Sequence, residues 1–355
     1  MKLTVRPADA VSDRDAVMSV FNETRQEPAE PARFDWLYSR NPAGPASLWV
    51  LVDDERGQIV GAAASLPRWM WVEGKPELAH VLADFSILES YRSLGPAIKL
   101  HRATLAPLSD GSALFSYDFP SRSMAAVHRW MKVAPLGCLF RLVRPLSLAH
   151  IARGAPDRMQ RLLDLWNTPF KALQKLYPLR LLGRDFDFET GPAVPEAFGT
   201  DFTDLDRRLA GQYRIRGGRA APYLQWRYGR NPLRRFHLIK LFKKARLCGY
   251  AVVHIKTESS GVSRIQIYDL FCENGPGIRR NMLAAVLTHA DHEGAAGVEA
   301  TLLESNPWCD YLKRAGFFQR PDFSEVFVFT KHEPSGPIVP LSKDAWYFTL
   351  GDSDT

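Results

Sequence analysis

The sequence predicts a mixed α/β protein made of two tandem copies of one domain, and three observations lead to this. The segment 34–42 recurs at 224–232, with Trp, Tyr, Arg, Asn and Pro at the same positions. After each copy come apolar runs on both sides of a charged turn, and then a strand-like run that contains Asp84 or Asp269. Each of these runs leads to a Gly-Pro pair and the start of a helix. Self-similarity of this kind is the signature of a duplicated unit.

Local patterns predict the elements of the first copy in the order β-α-α-β-β-β-α-β-α-β. Residues 2–7 alternate as a strand does, and 12–27 follow polar residues suited to capping a helix. A short second helix ends at Asn41-Pro42, and two strands then meet at a charged turn over 53–57. The remaining elements are a strand pair turning at 73–75, the buried strand 80–88, a helix over 96–105, a strand over 112–119, a helix over 121–132 and a closing strand over 138–144.

The expected division of the chain is a first domain at 1–145, a helical insert at 146–190, a second domain at 191–332 and a C-terminal tail at 333–355. Each domain should form a mixed, mostly antiparallel sheet flanked by helices. Two runs of the insert have apolar residues at helical spacing, and Pro169 starts the second, so a helical hairpin is predicted. The favoured interpretation is that this hairpin packs the two domains together. The alternative is a peripheral membrane contact through 156–182, because basic residues flank its apolar ones.

Composition restricts the class of protein. The 355 residues include no run of the ~18–20 uncharged apolar residues that a membrane-spanning helix requires, and the N-terminus does not resemble a signal peptide. The four cysteines are scattered and form no metal-ligand spacing, so we expect reduced thiols, no metal and a cytoplasmic protein. The net charge of +7 favours an anionic partner such as a phosphorylated cofactor.

A phosphate-binding loop is predicted where the buried strand 80–88 passes into the next helix. Small residues there let the backbone approach a ligand, and the first amides of the helix point at its oxygens. Pro96 falls in the first helical turn, where a missing N–H costs little. The predicted cofactor-binding residues are Arg92, Ser93, Leu94, Gly95, Pro96 and Ala97.

At this loop the chain resembles the GCN5-related N-acetyltransferase (GNAT) superfamily. The acyl-CoA loop of that family reads [Gln/Arg]-x-x-Gly-x-[Gly/Ala], which Arg92, Gly95 and Ala97 match. The predicted element order agrees as well, and the segment from Asn306 to Phe317 is similar to a late helix of the family, one residue short. The resemblance implies two GNAT-like domains and an N-acyltransferase that uses acetyl-CoA or another acyl-CoA.

The two copies depart from the family pattern differently. The spacing from the Asp of the strand to the Gly-Pro pair is 11 positions in the first copy, from Asp84 to Gly95. It is 6 positions in the second copy, from Asp269 to Gly275. The second loop therefore retains Gly275 and Gly277 but lacks the Arg. We expect the first copy to bind acyl-CoA and the second to be degenerate, with Asp269, Gly275, Gly277 and Tyr311 as its counterparts of site residues.

Amine acylation requires a base for the amine and an acid for the departing thiolate. Asp84, on the buried central strand, is the predicted base, with a pKa raised by burial. The alternative is a structural carboxylate that holds a splayed strand end. His128 stands where the family has a Tyr that faces the thiolate, so the resemblance implies the role of acid. The alternative for His128 is a solvated residue on a helix.

Four aromatic residues are candidates for contact with the acceptor: Trp36, Tyr38, Trp69 and Trp71. For the first two, structural packing is the alternative, since both copies retain them. The expected acceptor is a small-molecule or saccharide amine, with an amino sugar of polysaccharide biosynthesis favoured by resemblance, and no nucleic acid. Two rival functions remain: a Fem-type aminoacyl transferase that uses charged tRNA, and a non-catalytic GNAT-fold scaffold.

Overall fold

The computed structural model describes residues 2–148, 157–181, 183–331 and 339–353. Its first part follows the predicted element order, with one short helix added after the phosphate loop. The strands are β1 (Leu3–Pro7), β2 (Ser47–Asp53), β3 (Gln58–Val72), β4 (Lys75–Ile87), β5 (Phe115–Asp118) and β6 (Gly137–Pro145). The helices are α1 (Arg14–Thr24), α2 (Pro31–Phe34), α3 (Leu94–Thr104), α4 (Ala106–Ser109) and α5 (Arg122–Trp130).

The later part of the chain follows a similar order after one long helix, α6 (Asp157–Leu181), with two short strands added. Even a local irregularity is repeated, because the second helix of each copy passes into a π-helical turn, at Asp35–Ser39 and at Gln225–Gly229. The strands are β7 (Phe186–Pro192), β8 (Ile215–Gly217), β9 (His237–Lys243), β10 (Arg246–Thr257), β11 (Ser263–Cys272), β12 (Gly297–Leu303), β13 (Phe318–Thr330) and β14 (Trp346–Tyr347). The helices are α7 (Thr200–Arg208), α8 (Ala221–Leu224), α9 (Ile278–His292) and α10 (Pro307–Arg314).

The two copies exchange their last strands. The sheet runs β1-β2-β3-β4-β5-β13-β6-β12-β11-β10-β9-β7, so β13 pairs with β5 of the first copy and β6 pairs with β12 of the second. The long strand β13 also pairs with β6, which makes one continuous sheet. Each copy thus depends on the other for the strand that closes its sheet. The division into two domains stays a prediction, because no break in this sheet marks a boundary.

The end of the described chain belongs to both hydrophobic cores. Trp346 and Phe348 are buried with the residues of the first copy, whereas Tyr347 packs into the core of the second. β14 pairs in parallel with β8, and β8 pairs in turn with β3 of the first copy. Because these aromatic side chains are buried in different cores, the tail joins the two copies. Burial of one such side chain stabilises the fold by about 1.5–3 kcal/mol.

The predicted helical hairpin of the insert is wrong over the described residues, because α6 runs as one helix through Pro169. Its inner face meets α9, and Gln174 accepts a hydrogen bond from Arg144 at 2.7 Å. The packing of the insert between the two copies stays a prediction, while the outer face of α6 leaves apolar side chains in solvent. Exposures run from 53% to 71% for Met159, Leu162, Leu165, Trp166 and Leu173. Among the described residues no helix has the length and apolar character needed to cross a bilayer.

Candidate functional site

The sheet opens between β4 and β5. Their parallel pairing stops after Val81 and Tyr117. β5 ends at Asp118, whereas β4 continues as far as Ile87 and shifts its register against β3 near Asp84. The two strands therefore diverge and leave a cavity of about 120 Å³. Its walls come from β3, β4, the end of β5, α3 and the start of α5.

Asp84 lies in the wall of this cavity, but its carboxylate is fully engaged. Arg25 binds one oxygen at 2.7 Å, and Arg33 and the hydroxyl of Tyr38 bind the other at 2.8 and 2.6 Å. The backbone is left-handed at this position, with φ of +55°, which Asp tolerates better than most residues.

The expected rise in the pKa of Asp84 is wrong. Burial acts to raise this pKa, but the guanidinium groups of Arg33 and Arg25 outweigh burial and hold it well below its ordinary value of 3.8. A carboxylate with such stabilised charge has little affinity for a proton. Of the two interpretations made from the sequence, the geometry favours the structural carboxylate that fixes the bend of β4.

His128 is completely buried and does not line the cavity, so the predicted contact with a thiolate is not compatible with its position. Its Nε2 lies 2.7 Å from a carboxylate oxygen of Asp118, which does line the cavity. Burial raises the pKa of Asp118 above its ordinary value, although His128 acts in the opposite direction. His128 therefore stands behind a cavity carboxylate whose proton affinity is greater than usual.

A second imidazole, that of His101, lies beside this pair. The rings of His101 and His128 are 4.7 Å apart, and His101 also lines the cavity. Burial, with the nearby His128 ring, lowers the pKa of His101 to about 3, so this imidazole is neutral near pH 7. His101 therefore adds no positive charge to the cavity. Of the two carboxylates that line the cavity in the described structure, Asp84 is bound by arginine and Asp118 is not.

The predicted phosphate loop borders a groove of about 560 Å³ that adjoins the cavity. The two share Phe85, Ser121 and Met124 as lining residues. Of the six predicted cofactor residues, four line the groove, namely Arg92, Ser93, Leu94 and Ala97, while Gly95 and Pro96 form the helical turn beside them.

The residues of this groove fit an acyl-CoA. The N-terminus of α3 and the side chains of Arg92 and Ser123 offer donors for phosphate oxygens, and Leu94 and Val127 offer apolar contacts. Beyond Val81, no described strand pairs with β4 on the side that faced β5. Its backbone groups there are positioned to pair with the amide groups of a pantetheine arm.

The four aromatic residues predicted to contact the acceptor differ in burial and in position. Trp36 and Tyr38 are buried in the core, so an acceptor cannot reach them and that prediction is wrong. Trp71 is half-buried, and its indole N–H donates to Asp206 at 2.9 Å. Trp69 is 51% exposed, but it lines neither the cavity nor the groove. The alternative of structural packing holds for both buried residues.

The second copy places Asp269 as the first places Asp84. Its buried carboxylate accepts from the guanidinium of Arg219 at 3.0 and 3.1 Å and from the hydroxyl of Tyr250 at 2.8 Å. The register between β10 and β11 also shifts there. An arginine-bound carboxylate beside a bulge is thus common to both copies, which supports a structural role for each Asp.

In the second copy the tail lies where the strands diverge. β11 and β12 pair at Ile265–Ile267, and beyond that the hydroxyl of Tyr347 donates to the Leu270 carbonyl. Thr349 forms an isolated bridge with Leu302 and donates to Asp269 at 3.2 Å. The position equivalent to the first cavity is therefore occupied by the chain itself. No local pattern of the sequence indicates that the tail fills this opening.

The short second loop nevertheless borders an open space of about 840 Å³. Gly275 and Gly277 line it together with Tyr311, and Gly277 caps α9 with a φ of +79° that suits glycine. Three basic side chains line it as well: Arg184, Arg279 and Arg280. The second copy thus retains an anion-attracting surface, although its strand opening is filled.

Sequence reasoning missed Asp118, Arg25 and Arg33. Asp118 ends a short buried strand three positions before Ser121, which caps α5. An acidic residue between a buried strand and a helix start is the sequence feature that could have identified it. Arg25 and Arg33 lie 59 and 51 positions from Asp84, and nothing local in their segments indicates that partner.

Comparisons with known proteins identify the fold. No family model and no curated protein matches the sequence. A GCN5-related N-acetyltransferase from Anabaena variabilis aligns with a TM-score of 0.65 and 14% identity over 92% of this chain and 72% of that chain. A GCN5-related N-acetyltransferase from Kribbella flavida gives 0.61 and 15% over 92% and 70%. Saccharomyces cerevisiae N-myristoyltransferase, solved with bound myristoyl-CoA, gives 0.58 and 10% over 94% and 80%.

These similarities show the class of fold, which this chain shares with the GCN5-related N-acetyltransferases and the N-myristoyltransferase. The mixed α/β architecture predicted from the sequence is confirmed.

Proposed function

We propose that this chain is an acyl-CoA-dependent N-acyltransferase with one active site, in its first copy. The observation that carries the proposal is the continuous path from the groove at Arg92 to the cavity at Asp118. A cofactor bound in the groove would extend its reactive end into the cavity. The equivalent opening in the second copy is occupied by Tyr347 and Thr349, which supports a single site.

Acyl-CoA supplies the thioester carbonyl that the amine attacks. Arg92 and the first turn of α3 would hold its phosphates, and the unpaired edge of β4 would orient the pantetheine arm. A backbone N–H on that edge is suited to stabilising the oxyanion. The apolar Phe85 and Met124, which line both the groove and the cavity, limit access of water.

Asp118 takes the proton of the amine in this proposal, and the protonated carboxyl then returns it to the departing CoA thiolate, so that CoA leaves as the free thiol. The carboxylate of Asp118 lines the cavity, and its raised pKa gives it more proton affinity than an ordinary carboxylate has. His128 is the positioning residue, since its Nε2–H donates to the ionised carboxylate and fixes its orientation. Asp84 acts further away, by holding the bend of β4 through Arg25 and Arg33.

The acyl group is proposed to be short, with acetyl as the first candidate. A cavity of about 120 Å³ accommodates a few carbon atoms and not a long chain. The acceptor is proposed to be the amine of a small molecule or saccharide, and an amino sugar of polysaccharide biosynthesis is the candidate that the sequence resemblance favours.

The direct test is acetyl transfer by the purified full chain, measured as release of free CoA thiol. Acetyl-CoA would be offered with a panel of amino sugars and simple amines, and myristoyl-CoA would replace it as the long-chain comparison. Turnover with acetyl-CoA and none with myristoyl-CoA is expected. Absence of both thermal stabilisation and turnover with every acyl-CoA would reject the proposal and leave the scaffold as the rival.

We also propose that α6 contacts an anionic lipid surface. Its outer apolar side chains, Leu162, Trp166 and Leu173 among them, form one stripe because 3.6 residues make a turn. Arg158, Arg161 and Lys171 are exposed on the same helix, so charge complementarity favours anionic headgroups over a neutral surface. This contact would bring the active site to a membrane without a spanning helix.

A further inference from the structure

A group of three metal-binding side chains lies in the second copy, away from the proposed active site. His237 begins β9, His289 lies in the last turn of α9, and Glu293 follows directly after that helix. One ligand atom from each lies within 4.8 Å of the others. The three therefore converge from a strand edge and a helix end on one point.

The buried member of this group, His289, lacks a hydrogen-bond partner. It is only 4% exposed, and its Nε2 has no partner among the described residues. A buried polar atom without a partner costs about 1–3 kcal/mol, so such an atom calls for a bound species or another explanation. The His237 ring lies 5.2 Å away, tilted by 45°, and adds a second imidazole on the same side.

A further histidine lies beside the group without belonging to it. The Nδ1 of His292 lies 3.3 Å from a carboxylate oxygen of Glu293, but the His292 side chain is 82% exposed. His289, by contrast, is buried, and a neutral imidazole is the form of histidine that coordinates metals.

From this arrangement we propose that His237, His289 and Glu293 form a binding site for a divalent transition-metal ion. Two imidazoles and one carboxylate are a ligand set typical of Zn²⁺, whereas Mg²⁺ and Ca²⁺ prefer oxygen ligands. Zn²⁺ holds such ligands at ~2.0–2.2 Å, so the three ligand atoms, now within 4.8 Å of one another, would move closer together around the ion. Three protein ligands leave the fourth position to water.

Binding of the ion would connect a helix end to a strand of the sheet. The ion would tie the C-terminal end of α9 to β9, which lies near the edge of the sheet and pairs with β7 and β10. The N-terminal end of the same helix borders the open space lined by Gly277, Arg279 and Arg280. A metal brace would thus fix the helix that shapes the second anion-attracting surface.

The test uses the untagged full chain, stripped of metal by a chelator, because an affinity tag of histidines would itself bind zinc. Zn²⁺ would be titrated by calorimetry, and Co²⁺ would report tetrahedral coordination by its visible absorption. We expect one ion per chain, and a rise in melting temperature on adding Zn²⁺. His289→Ala, His237→Ala and Glu293→Gln should each weaken binding by ~100-fold or more, which exceeds the ~10–100-fold effect of changing a residue that only orients a ligand.

The matched control is His292→Ala, since this residue is on the same helix but 82% exposed at its side chain. It should bind Zn²⁺ as the wild type does. His237→Asn keeps a polar side chain and replaces His237→Ala if the latter fails to fold by circular dichroism. Folded wild type that binds no Zn²⁺, or an equal loss in His292→Ala and His289→Ala, would overturn the proposal.

Discussion

Trp36 and Trp226 donate their indole N–H groups to each other's backbone carbonyls, at 2.8 and 2.9 Å. Their rings are stacked, with centroids 4.9 Å apart. The two are equivalent residues of the two copies, so the contact is self-complementary, as at a two-fold axis. Such a contact requires the same residue in both copies. This explains why the duplicated motif persists without any role in binding an acceptor.

The tryptophan pair should contribute measurably to stability. Trp36→Phe or Trp226→Phe retains most of the stacking but leaves one buried carbonyl without its donor. Each change is expected to lower the free energy of unfolding by about 1–3 kcal/mol in equilibrium urea denaturation. Trp69→Phe, at a half-exposed site, is the control and should change it by less than ~0.5 kcal/mol. If neither Trp36→Phe nor Trp226→Phe changes the free energy of unfolding, the reciprocal hydrogen bonds do not contribute to stability.

Cofactor binding should depend on the first loop alone. Gly95→Glu introduces a negative charge beside the groove, and a Cβ at this position meets no atom within 4 Å, so the fold should tolerate it. We expect the melting temperature of wild type to rise with acetyl-CoA, by the equivalent of ~2.7 kcal/mol at a hundredfold over its Kd. In Gly95→Glu this rise should disappear.

Arg280→Glu is the matched control for the second loop, because Arg280 is exposed and lines the second space. A substitution at Gly277 would be less informative, since its positive φ would strain any other residue. The control should retain the full acetyl-CoA stabilisation. Equal losses in Gly95→Glu and Arg280→Glu would contradict the assignment to the first copy.

Asp118 should be required for turnover but not for cofactor binding. Asp118→Asn is expected to lower kcat/KM by roughly 10²–10⁴ while the thermal stabilisation by acetyl-CoA persists. The pKa of Asp118 is raised, so the acid side of the wild-type pH profile should fall at a pH above its ordinary value of 3.8. His128→Asn should shift the pH at which activity falls on the acid side of the profile, without abolishing activity. A fully active Asp118→Asn enzyme would refute the role.

Asp84 should matter for stability first. Asp84→Asn leaves the guanidinium groups of Arg25 and Arg33 without their anion, and loss of a buried partner costs about 3–5 kcal/mol. The pKa of Asp84 is depressed in the folded protein, so its contribution is fully present above the unfolded value of 3.8 and is lost as the pH falls toward the folded pKa. The difference in melting temperature between wild type and variant should therefore be smaller at pH 3 than at pH 7, without disappearing, because pH 3 is still above the folded pKa.

Membrane contact should require both the apolar and the basic side chains of α6. Wild type is expected to sediment with vesicles that contain phosphatidylglycerol at low salt, and not with pure phosphatidylcholine vesicles. Leu162→Ser with Trp166→Ser, or Arg161→Glu with Lys171→Glu, should abolish sedimentation. Phe318→Ser removes an equally exposed apolar residue elsewhere and serves as the control. A dimer in analytical ultracentrifugation, without vesicle binding, would assign the stripe to a second copy of the chain.

The sequence alone predicted the duplication, the order of elements and the mixed α/β class, and the mixed α/β class is confirmed. These depend on local information: apolar periodicity sets each strand or helix, and glycine, proline and capping residues end it. The loop from Arg92 to Ala97 was found in the same way, because its glycine, proline and small residues must be contiguous. The structure places this loop on a groove that fits the predicted cofactor.

Tertiary structure decided how these local units combine. Asp84 and Asp118 were indistinguishable as sequence letters, and only the arrival of Arg25 and Arg33 in space lowered the pKa of the first, while burial raised that of the second. The exchange of β6 and β13 and the filling of the second opening by Tyr347 likewise depend on contacts between distant segments. Such contacts are set by register and packing of the whole chain, which a local pattern does not contain.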